Sequence, residues 1–421
     1  MIFFYYPHGD RQDMFINNYT KDILKIMLYK RELISQFFFM VLIFILPFAH
    51  TMTLRLLAIF IPVLFWFIEI IVKRDFKFKR TGIDLPVLLL LIWGLLSTIF
   101  SVDIRYSFKE YRAEMLIGFL FLYSSINNIE RRHVDRILDA LIIGAAVVSI
   151  YGILEYMGIT GHMKSAGRVD SVTPDYNYFS TYLILVLPIL FYRFYMSSAK
   201  MRVIYFSVTL IATTALILTF TRAAWIAAFF EMILFGVFIN RKVLIILFAV
   251  VIIGYIGFQL KKEYPFAAKE ALKAQVIHPA YTYNDRMELW RFGIIHLKDR
   301  PVFGFGYGRA NFAKVYPEFF KRSVLLFHTH NTFLNIGLEL GIPGLIALIW
   351  LFWAILKSLW KDWKDRFNEQ RILSFAILLS VIGFLIRVQF DHLLVDEMAL
   401  MLWLLIGIGF AISNRKEAVS I

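Results

Sequence analysis

The chain has 421 residues, 59% of them hydrophobic and only 18% charged, with a mean hydropathy of +0.66. Soluble domains sit nearer roughly half apolar and a quarter charged, so an ordinary soluble globule is excluded; the absence of cysteine excludes disulfides, thiolate chemistry and Cys-ligated metals. The net charge of +14 would point to nucleic acid in a soluble protein, but in a membrane protein basic cytoplasmic loops supply it.

The first 32 residues are polar and aromatic and end in Lys30-Arg31-Glu32. The apolar block that follows has no small-residue cleavage site after it, so it reads as a retained first helix. The apolar residues gather in blocks of roughly 17 to 25, the length that carries a helix across roughly 30 Å of hydrocarbon. Helices are expected at 33–49, 51–72, 83–100, 113–128, 135–157, 176–195, 202–219, 223–239 and 243–258. A polar stretch of about 70 residues follows, then helices at 331–356, 372–390 and 393–412. Gly341-Ile342-Pro343-Gly344 interrupts the first of these, which suggests a short tilted piece followed by a full span.

The expected fold class is all-α, a polytopic membrane bundle of about twelve helices with a long helical outer loop. Its parts are an N-terminal bundle over 1–258, the outer loop over 259–328 and C-terminal helices over 329–421. With the N-terminus in the cytoplasm, the inner loops collect Lys73, Arg74, Lys77, Lys79 and Arg80, and later Lys357, Lys361, Lys364, Arg366 and Arg371. Most short outer loops carry one or two basic residues or none. This positive-inside pattern puts both termini inside and 259–328 outside.

The outer loops that break this pattern are informative. They hold Arg105, Lys109 and Arg112; Lys164 and Arg168; Arg222; and Arg286 and Arg291. An arginine near a helix end can snorkel to the interface without further role. The functional alternative is convergence on an anion, because the planar guanidinium fork matches phosphate and stays charged. Pro301-Val-Phe-Gly-Phe-Gly-Tyr-Gly-Arg309 reads as a tight turn needing positive φ, with a backbone anion cradle as the other reading.

His330 opens the block at 331–356 on the outer side, where an imidazole suits general-base work on a hydroxyl or, more plainly, bonds a helix terminus. A metal is not expected: His328 and His330 are two apart and no carboxylate cluster accompanies them locally. Arg387 and Asp391, near an outer helix end, are expected either to pair or to contribute to the site.

His330-Asn331, nine residues, then Gly341-x-x-Gly344 resembles the histidine signature of the O-antigen ligase family. Thr219-Phe-Thr-Arg222, Arg286-Met-Glu-Leu-Trp290, Pro301-Val-Phe-Gly-Phe-Gly306 and Ser107-Phe-Lys-Glu-Tyr-Arg112 are similar to that family too, in its order, over about 101 to 345; Gly167-Arg168 through Asn177 is a weaker match. The resemblance implies a GT-C-like membrane glycosyltransferase of the bacterial inner membrane, with its active site at the periplasmic face. The implied donor is a glycan on undecaprenyl diphosphate and the acceptor a sugar hydroxyl of lipid A–core. His330 would be the base, and Arg112, Arg222 and Arg286 would bind the donor diphosphate. The implied transfer is inverting and uses no metal or other cofactor. Within the superfamily, a polymerase extending a lipid-linked glycan and a protein O-oligosaccharyltransferase are alternatives. A lipid-linked glycan transporter is the reading from another class, but it calls for polar groups through the bilayer interior and often repeat symmetry, and neither is visible.

Overall fold

The computed structural model describes residues 32–73, 79–160, 168–241, 244, 283–320, 328–365 and 370–413. The expected helix at 243–258 apart from Leu244, the outer-loop stretches 259–282 and 321–327, and Lys164 therefore lie outside the described residues. In chain order the helices are α1 Glu32–Ile45, α2 Met52–Lys73, α3 Asp84–Ile99, α4 Ile104–Glu110, a π-helical turn Tyr111–Leu116, α5 Ile117–Asn128, α6 Val134–Tyr156, α7 Tyr176–Met196, α8 Ala199–Leu218 and α9 Arg222–Phe238. After the masked stretch come α10 Tyr283–His296, the short α11 Asn311–Val315 and α12 Pro317–Phe320, then α13 Thr332–Lys364, α14 Arg371–Arg387 and α15 Asp396–Ala411. No β-sheet occurs among the described residues.

Every expected helix range except 243–258 overlies a helix. Five segments among the described residues are long and apolar enough to cross a membrane: Met52–Ile71, Arg131–Tyr156, Tyr176–Met196, Ala199–Leu218 and Thr332–Lys364.

Sidedness follows from composition. A helix that is apolar all round belongs inside a bundle, and α7 is buried from Phe179 through Tyr192, packed between α8 and α14. Asp175 starts it by accepting from the backbone N–H groups of Asn177 and Tyr178 at 2.6 and 3.0 Å. By contrast α2 turns Leu57, Phe60, Leu64 and Ile71 outward, as an outer membrane helix does.

The expected break in α13 falls at Gly341, whose φ of 73° and ψ of −176° are non-helical. A broken helix frees carbonyls that must find donors. Those of Leu338, Glu339 and Leu340 take bonds from Phe305 N (2.7 Å), Gly306 N (3.1 Å) and Trp93 Nε1 (2.9 Å), with Ser97 Oγ also on Glu339 (2.8 Å). The Gly-rich segment 301–309 is thus a strap laid along the break. Positive φ at Gly304, Gly306 and Gly308 bears out the turn; the N–H groups of Phe305 and Gly306 bond helix carbonyls, while the Gly308 backbone bonds the Glu339 carboxyl.

Candidate functional site

The site assembles where the start of α13 meets the turn between α14 and α15. Asn331 caps α13 by accepting from Leu334 N at 3.0 Å, and its amide donates to the Gln389 carbonyl at 3.1 Å. Thr332 N bonds the Val388 carbonyl (3.0 Å) and its hydroxyl bonds the Asp391 carbonyl (3.1 Å). Trp290 of α10 donates to the Thr329 carbonyl at 2.9 Å. The polar residues after His330 therefore hold two chain segments in register. They also hold His330 itself at φ 47°, a left-handed conformation that a side chain adopts at a cost.

His330 Nδ1 lies 3.1 Å from Asp391 Oδ1. Burial pushes the Asp391 carboxyl up, but the His330 hydrogen bond and the Arg387 charge outweigh it and hold the group well below the usual carboxylate range. An ionised carboxylate only accepts, so Nδ1 is the ring nitrogen that donates to it, and in the neutral ring the lone pair then sits on Nε2. His330 Nε2 is buried and makes no hydrogen bond. The His330 N–H donates to His328 Nδ1 at 3.1 Å. Burial and the neighbouring His330 and His392 push His328 well below the usual imidazole range, which keeps it an acceptor. His392 is pushed down to about 3, by burial first and the Arg309 charge second.

Arg387 is 1% exposed; its Nη2 donates to Asn177 Oδ1 at 2.7 Å and faces Asp391 Oδ2 at 3.5 Å. Its Nε has no partner, and the charge of Arg286 acts on it. A second polar layer adjoins: Asp396 accepts from Tyr178 (3.1 Å) and Arg309 (3.3 Å), and Glu114 accepts from Tyr307 (3.1 Å). Alternating carboxylates, phenols and guanidinium suit a ligand rich in hydroxyls.

Of the three arginines expected to bind diphosphate, Arg286 is half-buried and electrostatically coupled to the Arg387–Asp391 group. Arg112 is exposed on the π-turn, a distortion common at functional sites, and Arg222 is exposed as the first residue of α9. Arg168 lies over the Tyr176 ring at 4.4 Å, while Arg105 and Arg291 are exposed. Local spacing did not signal Arg309. Asp391 and Arg387 were visible as a near-terminal pair, but not as the partners of His330.

Donor atoms of His328, His330 and Asp391 lie within 4.8 Å of one another. The carboxylate missing from the local sequence thus arrives from 61 residues further on. Even so, the set fits a cation poorly. Asp391 Oδ1 already accepts from His330 and from His392 N (2.9 Å), Oδ2 faces Arg387, and His328 Nδ1 is taken by His330 N. Two guanidiniums add positive charge where a cation would have to sit.

An apolar helical membrane protein with a carboxylate-oriented histidine among arginines defines the class; comparison with known proteins narrows it. A family model described as O-antigen ligase matches residues 207–349, which include Arg222, Arg286 and His330. The O-antigen ligase of Salmonella typhimurium (strain LT2) is 22% identical over 346 residues, covering 76% of this chain and 80% of that one. The exopolysaccharide production protein ExoQ of Rhizobium meliloti is 34% identical over 102 residues, 22% of this chain and 23% of that one. These findings support the O-antigen ligase family, whose members are glycosyltransferase-type membrane enzymes.

Proposed function

We propose that the chain is an O-antigen ligase that moves a glycan from undecaprenyl diphosphate to a sugar hydroxyl of lipid A–core. The observation that carries the reading is His330 Nε2: buried, unpartnered, and backed through Nδ1 by the Asp391 carboxylate. Nε2 takes the proton of the acceptor hydroxyl. The freed oxygen attacks the anomeric carbon, the bond from that carbon to the diphosphate oxygen breaks, and the lipid diphosphate leaves with the electron pair. Attack opposite the leaving group inverts the centre. Arg387 faces Asp391 and the Arg286 charge acts on Arg387; the proposal assigns the donor diphosphate to Arg112, Arg222 and Arg286. Fixed cations that stabilise the leaving group make a metal unnecessary.

The proposed setting is the bacterial inner membrane, crossed about twelve times in a GT-C-like arrangement, with both termini cytoplasmic and the site periplasmic. The three-part division at 258 and 328 belongs to the same proposal. Removing a general base typically costs roughly 10²- to 10⁴-fold. Purified protein given lipid-diphosphate glycan and lipid A–core, with EDTA present, should therefore transfer glycan, and His330→Ala should lose activity on that scale. Full activity in the variant would remove His330 as the base, and loss with EDTA in the wild type would restore a metal. A polymerase is the second reading, since the family resemblance fits either transfer. A wild type that lengthens the lipid-linked glycan without loading lipid A–core would establish it.

A further inference from the structure

A second feature lies at the other end of the bundle. His330 precedes the first turn of α13 and Arg387 ends α14, whereas the last turn of α13 and the first of α14 meet the ends of α7 and α9 around a cavity of about 180 Å³. Tyr195, Phe238, Trp363, Lys364, Arg371 and Ile372 line it, with no carboxylate among the described lining residues. Straight α-helix rises about 1.5 Å per residue, so the stretch of α13 after the break is about 35 Å long, enough to put this cavity on the opposite membrane face from His330.

Three sources of positive potential converge there. Arg371 is exposed and offers a guanidinium fork. Lys364 is exposed, with Nζ 4.8 Å from the Trp363 ring centre and 5.2 Å from that of Trp360, so two indoles hold the ammonium at the cavity mouth. Arg371 and Ile372 open α14, so the positive end of that helix borders the cavity, and Gln370 supplies no side-chain cap to it. Around the mouth, Met196, Val237, Phe238 and Trp360 expose apolar surface toward the bilayer. Tryptophan beside lysine and arginine at a helix end is the arrangement that sits at headgroup level.

We propose that this cavity binds the phosphodiester headgroup of an anionic glycerophospholipid, with the acyl chains lying on the apolar surface beside it. The volume decides the size class: pockets for whole drug-sized ligands start at roughly 300 Å³, so this one takes a headgroup and leaves the chains outside. Charge decides the sign, since cations and helix N–H groups offer donors to phosphate.

The test is thermal denaturation of the detergent-purified full chain, titrated with phosphatidylglycerol, with phosphatidylethanolamine and with inorganic phosphate. Phosphatidylglycerol should raise the midpoint of the wild type, and the Lys364→Gln/Arg371→Gln variant should lose more than half of that rise. An Arg105→Gln/Lys109→Gln control, which removes two exposed cations of α4 at the other end of the bundle, should keep it. An equal rise in the cavity variant would overturn the proposal. So would an equal rise with phosphatidylethanolamine, which removes the charge argument, or with inorganic phosphate, which removes the lipid. If the double variant does not purify as a single species, Arg371→Gln alone is read in the same way.

Discussion

The carboxylate behind His330 is where one atom matters most. Asp391 accepts from His330 Nδ1 and from the His392 N–H, and it faces Arg387. Asparagine at the same position keeps the shape but loses the charge, and it can present an amide N–H to Nδ1. The ring would then carry its proton on Nε2 and could not act as the base. Asp391→Asn is expected to lower glycan transfer by roughly 10²- to 10⁴-fold, a loss comparable to that of His330→Ala. Because the substitution also leaves Arg387 buried without its countercharge, the thermal midpoint should fall as well. The double variant separates the two effects. If Asp391 acts through His330, adding Asp391→Asn to His330→Ala should lower the midpoint further but cost little additional activity. A single Asp391→Asn variant that transfers glycan at the wild-type rate would show that the carboxylate only supports the fold.

The strap and the broken helix act as one element. A Cβ on Gly304 would stand 2.4 Å from the Glu339 carbonyl oxygen, and one on Gly341 would stand 2.2 Å from that of Val302. Both glycines also have φ near +70°. Gly158 has a similar φ of +75° but nothing within 4 Å of its would-be Cβ, so it isolates the conformational cost, about 1–2 kcal/mol. Gly304→Ala and Gly341→Ala should therefore lower the thermal midpoint clearly more than Gly158→Ala, and should depress transfer through the register of His330. Equal shifts in all three would mean that the strap is not tightly seated. This element also marks how far sequence reasoning reaches. The helices and the break at Gly341 are readable because hydropathy, block length and Gly-Ile-Pro-Gly are local signals. The seating of 301–309 on the carbonyls of 338–340 is not, because it pairs segments more than thirty residues apart. His330 stands out through its motif, whereas Asp391 becomes its partner only when the turn after α14 folds back. The arginines were readable as outer-loop exceptions, but their convergence is a matter of packing. The Arg286 charge acts on Arg387, which faces Asp391, and the Arg309 charge acts on His392, both from segments that charge counting gave less weight.

At the scale of the molecule, orientation connects both ends to function. The outer layer holds together on one face: Val102 N bonds the Phe305 carbonyl, Ala310 N bonds Tyr106 Oη, and the Arg309 charge reaches His392 beside the dyad. Arg105, in α4, belongs to that layer. Lys361 lies near the end of α13, after a helical run of about 30 Å beyond the break, and Lys200 starts α8 among the basic residues assigned to the inside. The chain has no cysteine, so single cysteines can be placed without a background. In right-side-out vesicles a membrane-impermeant maleimide should label Arg105→Cys and spare Lys200→Cys and Lys361→Cys; in inside-out vesicles the pattern should reverse. Labelling of positions 105 and 361 from the same side would contradict a membrane-crossing α13. A complete reversal would put His330 on the cytoplasmic face, where the proposed periplasmic transfer could not occur, and would move the cationic cavity to the outer leaflet. The expected pattern would place the base where a lipid-linked glycan is presented and the cavity where anionic headgroups of the inner leaflet meet it.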